Sequence, residues 1–175
     1  YYIFLARLSG QEDIVAGTAA AGRGHPEFQP VIGMFVNTLA LRTRPRLNIT
    51  LRRYMDEVKE TVLNSFENQD YPFEELVEHL GVERDMSRNP VFDVMLSLQK
   101  LADRAAAPAE STGGTQAPVE INPIAKFDLT IFAFEVGQGL RLEFEYCTAL
   151  FKEESVQRFI TYFKRIVSQL IDRID

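Results

Sequence analysis

Two amphipathic helical patterns, separated by short β-prone runs, constrain the fold of this chain more than any other feature. Residues 51–68 carry apolar side chains at helical spacing, with Thr50 in position to cap the helix. Residues 152–174 repeat the pattern over a longer stretch. Such helices with intervening strands predict an α/β fold, in which helices pack on a mixed sheet.

Strand patterns occupy much of the remaining sequence. Apolar and alternating runs predict strands over residues 13–18, 33–42 and 91–98, and a hairpin of 127–136 and 140–147 around Gly137-Gln138-Gly139. Shorter helices are predicted over residues 1–8, ending at Ser9-Gly10, and over 73–80, with Pro72 at its first position and Gly81 at its end.

Residues 101–119 fit neither pattern, because Ala, Pro, Gly, Ser and Thr dominate them and bulky apolar side chains are nearly absent. A loop of about 19 residues is longer than most connections in compact domains. We therefore predict a flexible loop that is either disordered or functional.

Composition limits the classes of partner and location. The 175 residues carry a formal net charge of −6, which argues against nucleic acid as the main partner. No apolar run reaches the ~18 residues of a membrane span. The apolar start lacks the basic residues of a signal peptide and suggests a cut from a longer polypeptide. The single Cys147 excludes an internal disulfide, and a cytoplasmic location is expected.

Residues that commonly perform catalysis are few and isolated. His25 lies in the glycine-rich loop of residues 21–26, and His79 lies near the end of a short helix. Neither stands at metal-ligand spacing from Cys, Asp or another His. Cys147 lies in a predicted strand without a nearby His, and the glycine-rich loop matches no nucleotide-binding signature. The residues therefore predict no metal site and no complete catalytic set.

Asn37 is the polar residue whose role stays open at this level. It stands inside the apolar run Phe35-Val36-Asn37-Thr38-Leu39. A buried amide costs roughly 1–3 kcal/mol unless it is hydrogen-bonded. It is either a bonded structural amide or a polar group aimed into a substrate channel. The polar stretch 83–90 favours a structural turn, since its side chains can bond backbone and carboxylates.

Three motifs, in order, resemble those of the condensation domains of nonribosomal peptide synthetases. VIGMFVNTLALR at residues 31–42 resembles the (I/V)GxFVNT-type motif, NQDYPFE at 68–74 resembles (H/N)QDYPFE, and RDMSRNP at 84–90 resembles RDxSRNP. QEDIVAGT at 11–18 and KFDLT at 126–130 match as well. The catalytic HHxxxDG motif of that family is absent from these 175 residues.

The resemblance implies that residues 1–175 are the C-terminal lobe of a two-lobed fold similar to chloramphenicol acetyltransferase, a CoA-dependent acyltransferase. The active site of that fold lies in the cleft between the lobes, and the catalytic histidines belong to the N-terminal lobe. We therefore expect no catalytic residue in this chain and no activity from it alone. Residues 100–119 correspond to the crossover, or latch, that reaches the first lobe.

The implied reaction is amide-bond formation between an upstream carrier-bound acyl or peptidyl thioester and the amine of a downstream carrier-bound aminoacyl group. The implied partners are the N-terminal lobe, the upstream and downstream peptidyl carrier proteins with their phosphopantetheine arms, and an adjoining adenylation domain. No cofactor is expected on this lobe itself, and no nucleic acid or membrane. The implied setting is bacterial secondary metabolism, such as antibiotic biosynthesis. Without its first lobe, the chain is expected to expose an apolar face and to self-associate.

The resemblance also implies roles for individual residues. The residues expected along the substrate channel are Asn37, Phe35, Gly33 and Thr18. The candidates for docking the acceptor carrier protein are Arg52, Arg53 and Tyr71, because arginines can steer an acidic partner. A solvated helix face explains the two arginines equally well. A structural role is expected for Arg84, Asp85, Ser87, Arg88, Asn89, Gln69 and Asp70.

Two alternatives differ in chemistry. An epimerization domain shares the fold but abstracts an α-proton, and its equivalent strand motif usually departs from the Phe35-Val36-Asn37-Thr38 found here. A lobe that docks carrier proteins without turnover is the second alternative. A coupling assay with loaded donor and acceptor carriers separates the alternatives.

Overall fold

The computed structural model describes residues 1–46, 48–82, 85, 88–100 and 124–172, with only the backbone of Lys100. The elements in chain order are α1 (Tyr2–Ser9), β1 (Ile14–Ala20), a short 3-10 helix (Pro26–Phe28), β2 (Asn37–Thr43), α2 (Leu51–Glu67), α3 (Phe73–Leu80), β3 (Val94–Lys100), β4 (Leu129–Val136), β5 (Gly139–Tyr146) and α4 (Glu153–Ile171). The predicted loop of residues 100–119 lies, beyond its first residue, outside the described part, as do Arg84 and Ser87.

The five strands form one sheet in the order β2-β1-β3-β4-β5. β1 runs antiparallel to β2, with Ile14 opposite Thr43 and Ala20 opposite Asn37. β1–β3 and β3–β4 are parallel pairs, and β4–β5 is an antiparallel hairpin. The predicted mixed sheet with packed helices is confirmed.

One face of the sheet forms the core with three helices. Alternate residues of the strands point to this face, among them Ile14, Leu39, Leu41, Leu129 and Ile131. The helices contribute Phe4 from α1, Tyr54 from α2 and Phe163 from α4. The Phe4 and Phe163 rings meet edge to face with centroids 5.6 Å apart. Each large side chain buried here contributes about 1.5–3 kcal/mol of transfer free energy.

The opposite face carries an aromatic stack beside Gly17. A Cβ at Gly17 would lie 2.1 Å from the ring of Phe92, so that only glycine leaves room for this buried ring. The Phe92 ring also lies 5.6 Å from that of Phe73 and 5.5 Å from that of Phe127. The stack joins the start of α3 to the segments that precede β3 and β4.

The helix boundaries follow the predicted capping residues closely. Thr50 Oγ1 accepts a hydrogen bond from the Arg53 amide at 3.3 Å and begins α2. Gly10 and Gly81 end α1 and α3 in the left-handed region. Pro72 is the residue before α3 and not its first residue as predicted.

The predicted strand over residues 33–42 is too long at its start. β2 begins at Asn37, because β1 ends at its partner Ala20 and no strand lies opposite the preceding residues. The carbonyl of Gly33, within the predicted strand, instead accepts a hydrogen bond from an arginine, as described below. β3 likewise begins at Val94 and not at residue 91, since the Asn89 amide bonds the Asp93 side chain in a turn just before it.

Candidate functional site

Asn37 joins the start of β2 to the connection between α2 and α3. Its Nδ2 donates to the carbonyls of Gln69 at 2.7 Å and Tyr71 at 2.8 Å. Its Oδ1 accepts from the amides of Thr38 at 2.8 Å and Phe73 at 3.3 Å. Both polar ends of the amide are therefore used, and the two sequence motifs that contain Asn37 and Tyr71 are held together by one side chain.

Gln69, Asp70 and Tyr71 thus lie at the same end of the sheet as Asn37. Gln69 and Tyr71 take part through their carbonyl oxygens, and the Tyr71 side chain is exposed. Asp70 lies between them on the surface. This geometry gives NQDYPFE a backbone role that its side-chain pattern alone does not show.

Phe35 and Gly33 lie next to Asn37 and are both held by Arg23. The Arg23 guanidinium donates to the Gly33 carbonyl at 3.1 Å and stands 4.4 Å from the centroid of the Phe35 ring. It also bonds the carbonyls of Val31, at 2.7 Å, and Phe28. Sequence reasoning missed this role for Arg23, whose only signal is a lone cation between two glycines before an apolar run.

Thr18 lies close to this group but makes none of its described contacts. It is buried on the helix-covered face of β1, opposite Leu39. Ala20, two residues further on, is the pairing partner of Asn37. The channel role of Thr18, Gly33, Phe35 and Asn37 stays a prediction.

Arg52 and Arg53 lie at the other end of α2 from Tyr71. A helix of 17 residues is about 25 Å long. α2 therefore separates the arginines from the group formed by Asn37, Gln69 and Tyr71, which we call the Asn37 junction. Arg53 and Arg46 both reach Glu57, at 3.4 Å and 2.8 Å. The structure therefore brings Arg53 together with a further arginine, Arg46, and places both predicted docking arginines at the other end of α2 from Tyr71.

The described residues of the last motif, Asp85 and Arg88 to Pro90, precede β3 in the chain. The Arg88 amide donates to the Asp85 carbonyl at 3.2 Å, and the Asn89 amide donates to Asp93 Oδ1 at 3.2 Å. The Asp128 amide donates to the Asp93 carbonyl at 2.8 Å. Burial, and secondarily the charge of Asp93, raise the pKa of the Asp128 carboxyl, while Arg88 acts in the opposite direction. Asp85, Arg88 and Asn89 take part in these contacts through backbone atoms, and the structural role of their side chains stays a prediction.

The remaining reactive side chains lie apart from one another. His25 is exposed and its Nδ1 is 3.8 Å from Glu27, and His79 is exposed near the end of α3. Cys147 is half-buried, and its backbone amide bonds the Asp128 carbonyl. Over the described ranges, no three His, Cys, Asp or Glu residues are placed to hold a metal ion, and no helix is long and apolar enough to cross a membrane.

Comparison with known proteins gives consistent matches over the whole chain. The condensation-domain family matches residues 1–175. Bacitracin synthase 3 of Bacillus licheniformis is 48% identical over 176 residues, which cover 100% of this chain and 3% of that protein. Gramicidin S synthase 2 of Brevibacillus brevis is 42% identical over 175 residues, which cover 100% of this chain and 4% of that protein. The chain thus spans only a few per cent of these relatives.

Solved structures match at lower identity. A four-domain nonribosomal peptide synthetase bound to AMP and glycine superposes with a TM-score of 0.85 at 24% identity, covering 99% of this chain and 14% of that one. The starter condensation domain of rhizomide synthetase superposes with a TM-score of 0.70 at 23% identity, covering 97% of this chain and 40% of that one. The fold is therefore that of part of a condensation domain.

Proposed function

Since the chain belongs to the condensation-domain family of nonribosomal peptide synthetases, we propose that it is the C-terminal lobe of a domain that joins two carrier-bound substrates. The family match over all 175 residues carries this proposal. The amine nitrogen of the downstream aminoacyl group attacks the carbonyl carbon of the upstream thioester. The C–N bond forms, the C–S bond breaks, and the thiol of the upstream phosphopantetheine arm leaves.

This lobe supplies one wall of the substrate channel. Asn37 fixes the β2 start against the α2–α3 connection, and Arg23 fixes Gly33 and Phe35 beside it. Such a wall binds and orients the two arms, which converts an encounter of two thioesters into a reaction between neighbouring groups. Thr18 completes the expected channel residues on β1.

The proton acceptor for the attacking amine belongs to the N-terminal lobe, with the HHxxxDG motif. A general base must come within hydrogen-bond reach of the proton that it removes. His25 and His79 are exposed, on a loop and on a helix end that make no described contact with the Asn37 junction. We expect the latch of residues 100–119 to reach that lobe, and an adenylation domain to adjoin the condensation domain.

A coupling assay tests whether the reaction requires the N-terminal lobe in addition to this one. Loaded donor and acceptor carrier proteins are mixed with the complete condensation domain or with this chain alone. The complete domain should form the amide product, and the chain alone should form none. Product from the chain alone would contradict the missing base, and racemised donor without product would favour the epimerization alternative. Carrier binding without turnover by the complete domain would favour a docking lobe.

Acceptor carrier docking is proposed at the arginine end of α2. Arg46 and Arg53 both reach one carboxylate, Glu57, at 2.8 and 3.4 Å. This leaves an excess of positive charge that can steer an acidic carrier. A carrier that also reaches Tyr71 must lie along the whole of α2.

Charge reversal tests the docking proposal separately from catalysis. Arg52→Glu with Arg53→Glu in the complete domain should raise the KM for the acceptor carrier severalfold and leave kcat unchanged. Arg158→Glu on α4 is the matched control, because Arg158 is exposed and bonds only the Ser155 hydroxyl among its described contacts. An equal effect of both changes, or no change in KM, would contradict docking at this end.

A further inference from the structure

β5 forms one edge of the sheet and, within the described part of the chain, has a partner strand on one side only. That partner is β4, and the pairing runs without interruption from Leu129 opposite Tyr146 to Val136 opposite Gly139. β5 spans eight residues and contains no proline, whereas most strands have about five or six residues. The amides and carbonyls along the outer side of such a strand are a template for pairing with a further strand.

An apolar groove follows the same edge, between β5 and α4. Its volume is about 560 Å³. Leu140, near the start of β5, is 64% exposed and lies at this groove. The edge therefore offers apolar contacts in addition to backbone hydrogen bonds. The apolar residues that line the groove are Leu140, Leu142, Phe144, Val156, Ile160 and Phe163.

The opposite face of β5 carries charges that a partner strand can reach. Arg141 Nη2 lies 3.0 Å from Glu143 Oε1, and the two side chains are 51% and 47% exposed. The Arg141 guanidinium also stands 4.8 Å from the centroid of the Phe134 ring on β4. Exposed ion pairs add little to stability. Across a strand pair, however, opposite charges are favoured and like charges are not, so that these residues select the register of pairing.

The sequence of β5 is complementary to itself in one antiparallel register. When Leu142 lies opposite Leu142 of a second copy, Arg141 of each copy lies opposite Glu143 of the other, and Leu140 lies opposite Phe144. Directly opposite side chains point to the same face, so that the centre can move along the strand only by whole residues. A shift of the centre by one residue places either Arg141 or Glu143 opposite itself. The register centred on Leu142 therefore avoids both like-charge pairs.

The other edge of the sheet lacks this combination. β2, Asn37–Thr43, carries one charged residue, Arg42, which Asp13 holds at 2.6 Å. A strand with a single charge cannot form an ion pair with a copy of itself. Self-complementarity is thus a property of the β5 edge.

We propose that β5 pairs antiparallel with β5 of a second copy of this chain, with the two Leu142 residues opposite each other. The two sheets then continue into one another, and the exposed Leu140 of each copy packs beside Phe144 of the other, at the mouth of the groove. Arg141 and Glu143 form two ion pairs across the junction. This inference goes beyond the proposed function and does not depend on it, because only β5 and α4 take part.

Charge reversal with sedimentation velocity tests the pairing. Ile32 and Met34 are replaced by Ser in every chain, so that association through these exposed side chains does not contribute. This background chain should form a dimer. Arg141→Glu or Glu143→Arg should each weaken the dimer by about tenfold, because like charges then lie opposite each other. Arg158→Glu, on the exposed surface of α4, is the matched control and should leave the dimer intact.

Mixing the two variants excludes a simple loss of folding. An equimolar mixture of the Arg141→Glu chain and the Glu143→Arg chain should dimerise again, since position 141 of one then carries the charge opposite to position 143 of the other. A misfolded variant cannot be rescued in this way. A background chain that stays monomeric at high concentration would overturn the proposal, and so would a mixture that associates no better than its components.

Cysteine cross-linking tests the register. In a Cys147→Ser chain, Leu142→Cys places two thiols directly opposite each other, with Cα atoms about 4.5–5.5 Å apart, within reach of a disulfide. Leu140→Cys is the matched control, because position 140 lies opposite Phe144 and the two copies of it are about 14 Å apart along the strands. Under mild oxidation the Leu142→Cys chain should cross-link, and the Leu140→Cys chain should not, although Leu140 is the more exposed. Faster cross-linking at position 140 would overturn the proposed pairing.

Discussion

At the scale of single residues, two polar side chains tie distant segments of the chain together. Asn37 holds the α2–α3 connection through the carbonyls of Gln69 and Tyr71. Asp13, at the start of β1, holds Arg42 and Arg44 at the end of β2, with the shortest contacts at 2.6 and 3.1 Å. In the Asn37 network, both the oxygen and the nitrogen of the side-chain amide are hydrogen-bonded. The Asp13 network is exposed to solvent and depends on the negative charge of the Asp13 carboxylate.

Replacing Asn37 tests the first network. We expect Asn37→Ala to lower the free energy of unfolding by about 2 kcal/mol, because carbonyls and amides that it bonded lose their partner. Asn37→Asp should be no better, since a carboxylate cannot donate to the two carbonyls. Urea denaturation measures both, with the exposed Asn48→Ala as the control. An Asn37→Ala protein as stable as the control would contradict the structural part of its role.

Acid titration tests the second network. The Arg42 hydrogen bond, assisted by Arg44, holds the pKa of the Asp13 carboxyl well below its usual range. The lower pKa of the folded state means that the contribution of Asp13 is complete above its ordinary pKa, near 3.8, and is lost as the pH falls below it. Asp13→Asn should therefore be less stable than the wild type at pH 7 and approach it in acid.

Asp128→Asn provides the control of opposite sign. The pKa of Asp128 is raised in the folded state, so that its charged form is disfavoured there. Removing that charge should leave stability at pH 7 unchanged or increased, and the difference should shrink as the pH falls through the raised pKa. Parallel pH curves for the two variants would contradict both assignments.

At the scale of elements, the sheet is covered differently on its two faces. α1, α2 and α4 pack on the face that carries Leu39 and Ile131. The other face is met near Gly17 by the Phe92 ring, between the rings of Phe73 and Phe127. This aromatic stack is the described link between α3 and the starts of β3 and β4, and a single glycine makes room for it.

A side chain at Gly17 should weaken the packing of the Phe92 ring against the sheet. We expect Gly17→Ala to cost about 1–3 kcal/mol of unfolding free energy, because the new methyl group overlaps a ring that has neighbours on both sides. Gly24→Ala is the control, since a Cβ there meets nothing within 4 Å. Thermal or urea unfolding that ranks the two variants equally would show that the Phe92 ring moves without cost.

At the scale of the whole molecule, the distribution of surface chemistry separates two interaction regions. The start of α2 carries Arg52 and Arg53, with Arg46 beside Arg53 at Glu57, whereas residues 28–41 are uncharged and include the exposed side chains of Ile32 and Met34. The contacts of Asn37 with Gln69 and Tyr71 lie about 25 Å along α2 from the arginines. The surface proposed for carrier docking is therefore separate from this uncharged segment.

This chain alone should self-associate through its exposed apolar side chains, above all Ile32 and Met34. Exposed apolar side chains on a fixed backbone are buried when two copies meet, so that sedimentation velocity should show a species larger than a monomer as the concentration rises. In a chain that also carries Arg141→Glu, which weakens β5 pairing, Ile32→Ser with Met34→Ser should restore a monomer, and Leu63→Ser should not. A wild-type chain that stays monomeric at high concentration would contradict this prediction.

The sequence determined most of the elements and the family. The apolar periodicities, Thr50 and the glycines that end α1 and α3 are local signals, and the helices and strands that they predict are present. The motifs around Asn37, Tyr71 and Asn89 identified the condensation-domain family, to which the family match assigns the chain. These features need only neighbours within a few residues, and a sequence contains those directly.

Tertiary structure decided the pairing of distant groups. Which segments meet in space decides where β2 starts and which carbonyls Asn37 and Arg23 bond. It also decides the separation of Tyr71 from Arg52. A hydrogen-bond donor in the sequence does not specify its acceptor, since the many carbonyls of the chain are chemically alike. Only the folded backbone selects among them, by distance and direction.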